Sequence, residues 1–207
     1  MMTTFIWDLD GTLLDSYDAI LAGIEETYAH YGLDFDREAI KSYILQHSVQ
    51  ALLEKVADEK GLDAAEMNAY RGTSLQEKNA QIHLMAGAKE VLAWAKQAGI
   101  TNFVYTHKGA NAHQVLAELG IADYFTEVVT SADGFARKPH PAAIDYLVEK
   151  YDLDKSSTYY IGDRRLDVEV AINSGIQSMN FQAYPSPANQ QINQLLDIKE
   201  NIFDDNI

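Results

Sequence analysis

Three features of the sequence predict an α/β fold in which a parallel sheet is flanked by helices and interrupted after its first strand by an all-helical insertion. An apolar run, Phe5-Ile6-Trp7, ends abruptly in polar residues; a long helical stretch without a strand follows; and from Leu84 short β-rich runs alternate with amphipathic helices. With 207 residues and 47% hydrophobic content, the chain has ample material for a core.

Phe5 to Trp7 are bulky strand formers, and a buried parallel strand ends at the sheet edge where ligands usually sit. After Leu14, Tyr17, Ile20, Leu21, Ile24, Tyr28 and Tyr31 recur at three- and four-residue steps, an amphipathic helix that Gly32 ends. Asp36 caps a second helix running to Leu45, and Gln46-His47-Ser48 interrupts it. Val49 to Lys60 is a third helix, stopped by Gly61, and a fourth runs from Asp63 to Gln81. The core domain is therefore expected over 1–14 and 83–207 and the helical cap over 15–82. An insertion emerging beside the end of the first strand is well placed to act as a lid.

In the second part, Ala88 to Ala98 reads as a helix closed by Gly99, and Phe103 to Tyr105 as a strand. Helix from Asn111 to Leu119, strand from Glu127 to Thr130, and a loop through Lys138 follow. Ile144, Leu147, Val148 and Tyr151 mark one side of a helix over Ala142 to Tyr151. Thr158 to Ile161 is a strand, Arg165 to Ser174 a helix closed by Gly175, and Ile176 to Phe181 a strand. Tyr184-Pro185-Ser186-Pro187 is a loop, and a last helix is expected over Asn189 to Lys199.

No window approaches the about 18 uninterrupted apolar residues of a membrane span, and no basic-then-apolar signal pattern opens the chain. A cytoplasmic location is expected. Zero cysteines exclude disulfides and thiolate metal sites, and the six histidines lack zinc-ligand spacing. A net charge of −15 argues against nucleic-acid or anionic-membrane partners and raises a question about any anionic ligand.

Asp8 stands where the first strand ends, with Asp10 two positions on and Gly11 relaxing the backbone. Both carboxylates can converge on one cation or one reacting group. Alone, they read equally well as a turn whose aspartates bond nearby amides. Three further polar clusters fall at predicted strand ends or in the loops beyond them. Thr106-His107-Lys108-Gly109 offers a hydroxyl, amides and a glycine before a helix, the parts of an anion cradle, although a threonine there also serves as a helix cap. Arg137-Lys138-Pro139-His140-Pro141 sets a lysine ahead of a proline, which alone is a turn. Gly162-Asp163-Arg164-Arg165-Leu166-Asp167 places two aspartates on one face of a helix start, where helix-end charge also favours them. Separately these are turns and caps; in this order at these strand ends they describe a site.

Taken together, Asp8-Leu9-Asp10-Gly11-Thr12, Thr106, Lys138-Pro139 and Gly162-Asp163 with Asp167 resemble the haloacid dehalogenase-like superfamily of aspartate-nucleophile phosphotransferases. Within it the chain resembles the phosphoglycolate phosphatase and phosphoglucomutase branch, and the likeness covers essentially the whole chain. The resemblance implies a Rossmann-like core with a helical cap. It also implies a Mg2+-dependent phosphatase that hydrolyses a small phosphomonoester, of phosphoglycolate or sugar-phosphate type, through an aspartyl-phosphate.

In that reading Asp8 is the nucleophile and Asp10 the general acid and base. Mg2+ takes Asp8, the Asp10 backbone carbonyl and Asp163. Thr106 and the amide of His107 hold the transferring oxygens, and Lys138 neutralises charge. Thr12 and Asp167 stand behind these contacts, Asp167 orienting magnesium waters or Lys138. Gln46 and His47, in a cap loop that faces the site in relatives, would contact the substrate, although a plain helix connector explains them more readily. Lys108, Arg137, Lys138, Arg164 and Arg165, out of 16 basic residues, put local positive charge on an acidic body. The partner is a small phosphorylated metabolite, and a monomer or weak homodimer is expected.

The chain departs from the family at His107, where asparagine is common, and at Ala86, where proline is common. Asp10 separates it from the superfamily's dehalogenases and phosphonate hydrolases, which lack or replace that aspartate. A sugar-phosphate mutase keeps it and is the alternative enzyme. A phospho-receiver module shares strand-end aspartates, a threonine and a lysine before proline, but is smaller and has no such insertion. A degenerate phosphate-binding regulator is the other non-enzyme alternative, although every key position is filled.

Overall fold

Every residue of β1 (Thr4–Trp7) is buried, as a central strand of a parallel sheet must be. The computed structural model describes residues 3–204 and, among them, all side chains but those of 75–77, 203 and 204. After β1 come β2 (Leu14–Asp15), α1 (Tyr17–His30), α2 (Arg37–Gln46), α3 (Val49–Lys60), α4 (Ala64–Glu77), a 3-10 turn (Asn79–Gln81) and β3 (His83–Leu84). The alternating part comprises α5 (Ala88–Gln97), β4 (Thr101–Tyr105), α6 (Asn111–Glu118), β5 (Glu127–Val129), α7 (Ala142–Tyr151), β6 (Thr158–Gly162), α8 (Arg165–Ser174), β7 (Gln177–Asn180), β8 (Asn189–Gln191) and α9 (Ile198–Asp204).

The six-stranded sheet is ordered β5-β4-β1-β6-β7-β8, and each pairing is parallel. β1 lies between β4 and β6, so the crossovers diverge on either side of it and leave a crevice at its carboxyl end. Ile6 is in register with Phe103 and Tyr160. With Tyr105 and Val129 these residues form one face, covered by Ala143, Ile144 and Leu147 of α7 and Val170 and Ala171 of α8. On the other face Phe5 meets Trp7 and Tyr159 edge-on and lies 6.4 Å from Trp94 of α5. Between β1 and β4, Trp7 Nε1 donates to Asn102 Oδ1 at 2.9 Å. A buried amide stripped of such a partner costs about 1–3 kcal/mol, so this pair favours one register.

The chain divides into two compact units, Met1–Asp15 with Leu84–Ile207, and Ser16–His83. The second has its own core, in which Ile20, Leu21, Ile24 and Tyr28 of α1 join Ile40 and Ile44 of α2, Leu52 and Leu53 of α3 and Met67 of α4. Its helix ends follow from side chains: Asp36 Oδ1 accepts from Ala39 N–H at 3.1 Å, and Ser48 Oγ from Ala51 N–H at 3.0 Å. Among the described residues, no helix is long and apolar enough to cross a membrane.

Two regions differ from the sequence expectation. β2 and β3 pair as a two-stranded ribbon where no strand was expected, each too short to show a period. Asn189–Gln191 is an edge strand rather than the start of a helix, and α9 begins only at Ile198. The physical reason lies in Asp197, whose Oδ2 accepts from Asn193 and Gln194 N–H at 2.9 and 3.1 Å. That cap starts the helical turn after Gln194, and the polar Asn189-Gln190-Gln191 has no apolar stripe to pack as a helix.

Candidate active site

At the end of β1, Asp8 N–H donates to Ile161 O at 2.9 Å, prolonging the ladder to β6. The Leu9 carbonyl then accepts from the N–H groups of Thr12, Leu13 and Leu14 at 3.1, 3.0 and 2.9 Å. This tight loop needs a left-handed residue, and Gly11 supplies it at φ 84°. Asp8 and Asp10 are thereby held at the carboxyl edge of the sheet.

Lys138, which precedes Pro139 across a cis peptide bond, reaches Asp8 from the loop after β5. Its Nζ donates to Asp8 Oδ1 at 2.9 Å, Asp167 Oδ1 at 2.6 Å and Tyr160 Oη at 2.9 Å, so each ammonium proton has an acceptor. Tyr160 in turn donates to the Tyr105 carbonyl at 2.6 Å. Burial opposes the Lys138 charge, but the carboxylates of Asp167 and Asp8 outweigh it and raise its pKa. Burial also raises the pKa of Asp8, more than the Lys138 charge lowers it. Two buried carboxylates therefore share one buried ammonium.

Asp167 is fixed from both sides. Its Oδ2 accepts from Arg164 N–H at 3.0 Å at the start of α8. A Cβ on Gly162 would lie 2.4 Å from the Asp167 Cβ, so only glycine fits behind it. Asn180, at the end of β7, donates from Nδ2 to the Arg164 carbonyl at 3.1 Å and pins the same loop. Thr12 Oγ1 faces Asp163 Oδ1 at 3.4 Å, the long limit of a hydrogen bond.

Carboxylate oxygens of Asp8, Asp163 and Asp167 lie within 4.8 Å of one another. Asp8 Oδ2 is buried and has no hydrogen-bond partner among the described residues. A set of hard oxygen donors with one uncommitted buried carboxylate oxygen fits a small divalent cation such as Mg2+.

Beside this cluster, the loop after β4 carries Thr106, His107 and Lys108. Thr106 Oγ1 accepts from Lys108 N–H at 3.1 Å, whereas α6 starts only at Asn111, so the hydroxyl shapes the loop and does not cap the helix. His107 Nε2 accepts from Lys138 N–H at 2.9 Å, which assigns the proton to Nδ1. Burial, together with the charges of Lys138, Arg137 and Arg164, pushes the His107 pKa far down and keeps the ring neutral. Lys108 Nζ pairs with Asp10 Oδ1 at 3.0 Å, its side chain 2% exposed and that of Asp10 21%.

The structure thus brings Asp8, Thr12, Asp163, Asp167 and Lys138 together, with Asp10, Thr106 and His107 on the adjoining loops. Gln46 and His47 sit at the end of α2 in the helical unit, where Gln46 Nε2 faces Ser42 Oγ at 3.4 Å and the His47 ring lies 4.5 Å from that of Tyr43. Arg165 is exposed and pairs with Glu169 at 2.6 Å. Sequence reasoning missed three contributors: Lys108 as the partner of Asp10, Tyr160, and Asn180. Asn180 carried a usable signal, a polar residue at a strand's carboxyl end; Tyr160 was hidden inside an apolar strand.

A parallel α/β sheet with an aspartate-lysine cluster at the carboxyl end of its central strand places the candidate site where α/β proteins of this architecture bind their ligands. The chain belongs to the haloacid dehalogenase-like hydrolases, a family that matches residues 5–181. A phosphoglycolate phosphatase from Photobacterium profundum is 32% identical over 175 residues, covering 80% of this chain and 76% of that protein. A hydrolase from Streptococcus pneumoniae is 30% identical with a TM-score of 0.61, covering 98% of this chain and 99% of that one. CbbY from Rhodobacter sphaeroides, solved in complex with phosphate, has a TM-score of 0.82 at 18% identity over 96% of each chain, a likeness of fold. Other phosphoglycolate phosphatases, such as that of Pectobacterium atrosepticum at 28% identity over 182 residues, make the chain phosphoglycolate-phosphatase-like in sequence.

Proposed function

We propose that this hydrolase cleaves a small phosphomonoester, of phosphoglycolate or sugar-phosphate type, through an aspartyl-phosphate on Asp8. The observation that carries the reading is the state of Asp8: buried, with Oδ1 on Lys138 and Oδ2 without a hydrogen-bond partner among the described residues. The relatives named phosphoglycolate phosphatase support the substrate class.

In the first step an Asp8 oxygen attacks phosphorus. The bond from phosphorus to the ester oxygen breaks, and Asp10, protonated, gives its proton to that oxygen, releasing an alcohol. In the second step Asp10, now a carboxylate, takes a proton from water as the water oxygen attacks phosphorus. The bond to Asp8 breaks, and inorganic phosphate leaves with both aspartates restored. Lys138 holds Asp8 in place and offsets charge on the phosphoryl group, while Thr106 and the His107 amide hold its oxygens. Asp8, Asp163 and the Asp10 carbonyl would hold Mg2+, with Asp167, whose oxygens are committed to Lys138 and Arg164, and Thr12 behind them. Bound there, the cation lowers the repulsion between carboxylate and phosphate.

The test is phosphate release from a panel of phosphorylated metabolites, with Mg2+ and with chelator. Release that needs the metal and falls by about 10⁴-fold or more in Asp8→Asn supports the reading. No release from any member, or full activity in Asp8→Asn, overturns it, and isomerised sugar phosphate without net release marks a mutase.

A further inference from the structure

We infer that Lys108 is a positioning residue for proton transfer, holding the Asp10 carboxylate in the orientation from which it protonates the leaving oxygen. This role rests on the acid and base function given to Asp10 above.

A lysine side chain only 2% exposed is uncommon, because burial desolvates the ammonium and freezes a long chain. Lys108 Nζ has one hydrogen-bond acceptor among the described residues, Asp10 Oδ1 at 3.0 Å. Its main chain is clamped at both polar groups: the N–H donates to Thr106 Oγ1 at 3.1 Å, and the carbonyl accepts from Ser131 N–H at 3.0 Å. The ammonium therefore reaches Asp10 from a fixed base. Asp10 sits in the Gly11 loop and must present its carboxyl within hydrogen-bond reach of the leaving oxygen, an orientation that the Lys108 contact at 3.0 Å helps to set.

With Oδ1 facing an ammonium, which is a donor only, the proton of the acid form resides on Oδ2. That proton moves from Oδ2 to the ester oxygen as the phosphorus–oxygen bond breaks and its electron pair passes to that oxygen. Negative charge grows on Asp10 in the same step, and a preorganised cation beside it stabilises the transition state more than the ground state. Lys108 thus assists the step that a poor leaving group requires and is dispensable for a leaving group that departs without a proton.

The test compares wild type, Lys108→Met and Lys108→Arg on two substrates: an alkyl phosphate that the wild type hydrolyses, such as phosphoglycolate, and p-nitrophenyl phosphate. For Lys108→Met, kcat/KM on the alkyl ester is expected to fall by about 10²-fold, mostly in kcat, and on p-nitrophenyl phosphate by less than about tenfold. Lys108→Arg is expected to recover part of the alkyl-ester loss. Thermal midpoints identify any misfolded variant, and Lys108→Gln provides a second neutral replacement read in the same way. Equal losses on both substrates, or no loss, overturn the role of Lys108 while phosphatase activity stands. A wild type that releases phosphate from no member of the panel overturns the underlying function instead.

Discussion

In the unit that carries Asp8, Lys138 is fully buried between Asp8 and Asp167, at 2.9 and 2.6 Å. In the helical unit, Arg37 meets Asp18 at 2.5 Å, but their side chains are 44% and 82% exposed, and Lys55 and Glu59 stand 4.0 Å apart at 52% and 55%. Opposite charges meet in both places, with opposite energetics. Water screens the exposed pairs, and holding two long side chains still cancels most of their attraction. The buried cluster loses hydration on every member, and attraction recovers that loss only through close geometry and a full set of hydrogen bonds. Lys138, with three acceptors at 2.6–2.9 Å, meets that condition; Asp8, whose Oδ2 has no hydrogen-bond partner among the described residues, does not. A buried carboxylate oxygen without such a partner costs stability, so the contrast marks this cluster as a break in the rules that the exposed pairs obey, the kind of break expected at a functional site.

The contrast can be broken most directly within the buried cluster. Lys138→Met leaves Asp8 and Asp167 buried with no cation between them and is expected to destabilise the metal-free protein by about 3–5 kcal/mol in denaturant melts. Asp8→Asn removes a carboxylate whose pKa burial has raised, and is expected to leave the midpoint unchanged or higher under the same conditions. Losses of equal size in the two variants would show that the cluster is simply a stabilising ion pair.

Why some of this was legible beforehand and some was not follows from the same physics. The parallel sheet showed in short apolar strands such as Phe103 to Tyr105, alternating with helices such as Ala142–Tyr151. The acidic and basic clusters stood out because polar residues were packed where strands run out. Lys108 stood in one of these clusters, but its pairing did not show: its partner Asp10 lies 98 residues earlier, and a lysine in a Thr-His-Lys-Gly loop looks solvated until the fold buries it. Tyr160 is equally silent, since only the placement of Lys138 turns a core tyrosine into a hydrogen-bond partner. Asn189–Gln191 was misread because an edge strand of three polar residues has almost no pattern, and its pairing to β7 is a tertiary decision.

A smaller effect tests whether burial also governs the neutral members of the site. His107 accepts the Lys138 N–H only while its ring is unprotonated, and burial holds its pKa far below the ordinary value of about 6.5. The unfolded chain takes up a proton as pH falls through that ordinary value, and the folded chain does not. The His107 contribution is therefore fully present above about pH 6.5 and is lost progressively below it. Between pH 7.5 and 5.5 the wild type should lose about 1.4 kcal/mol more than His107→Asn, a replacement whose carbonyl can still accept. Chemical denaturation at the two pH values measures this, and parallel losses would mean that the ring is protonated in the folded state.

The smallest expected effect lies at the exposed end of the comparison. Arg37 and Asp18 join α2 to α1, yet Ile20, Leu21, Ile40 and Ile44 already hold these helices together through a buried apolar contact. Arg37→Ala is therefore expected to change stability by no more than about 0.5 kcal/mol, less still in high salt. The measurement is the denaturation midpoint of the full chain at low and high ionic strength. A salt-sensitive loss above about 1 kcal/mol would place this pair among the stabilising contacts of the helical unit. Exposure would then no longer separate this pair from the buried Lys138 cluster, and the geometry of each pair would have to carry the distinction by itself.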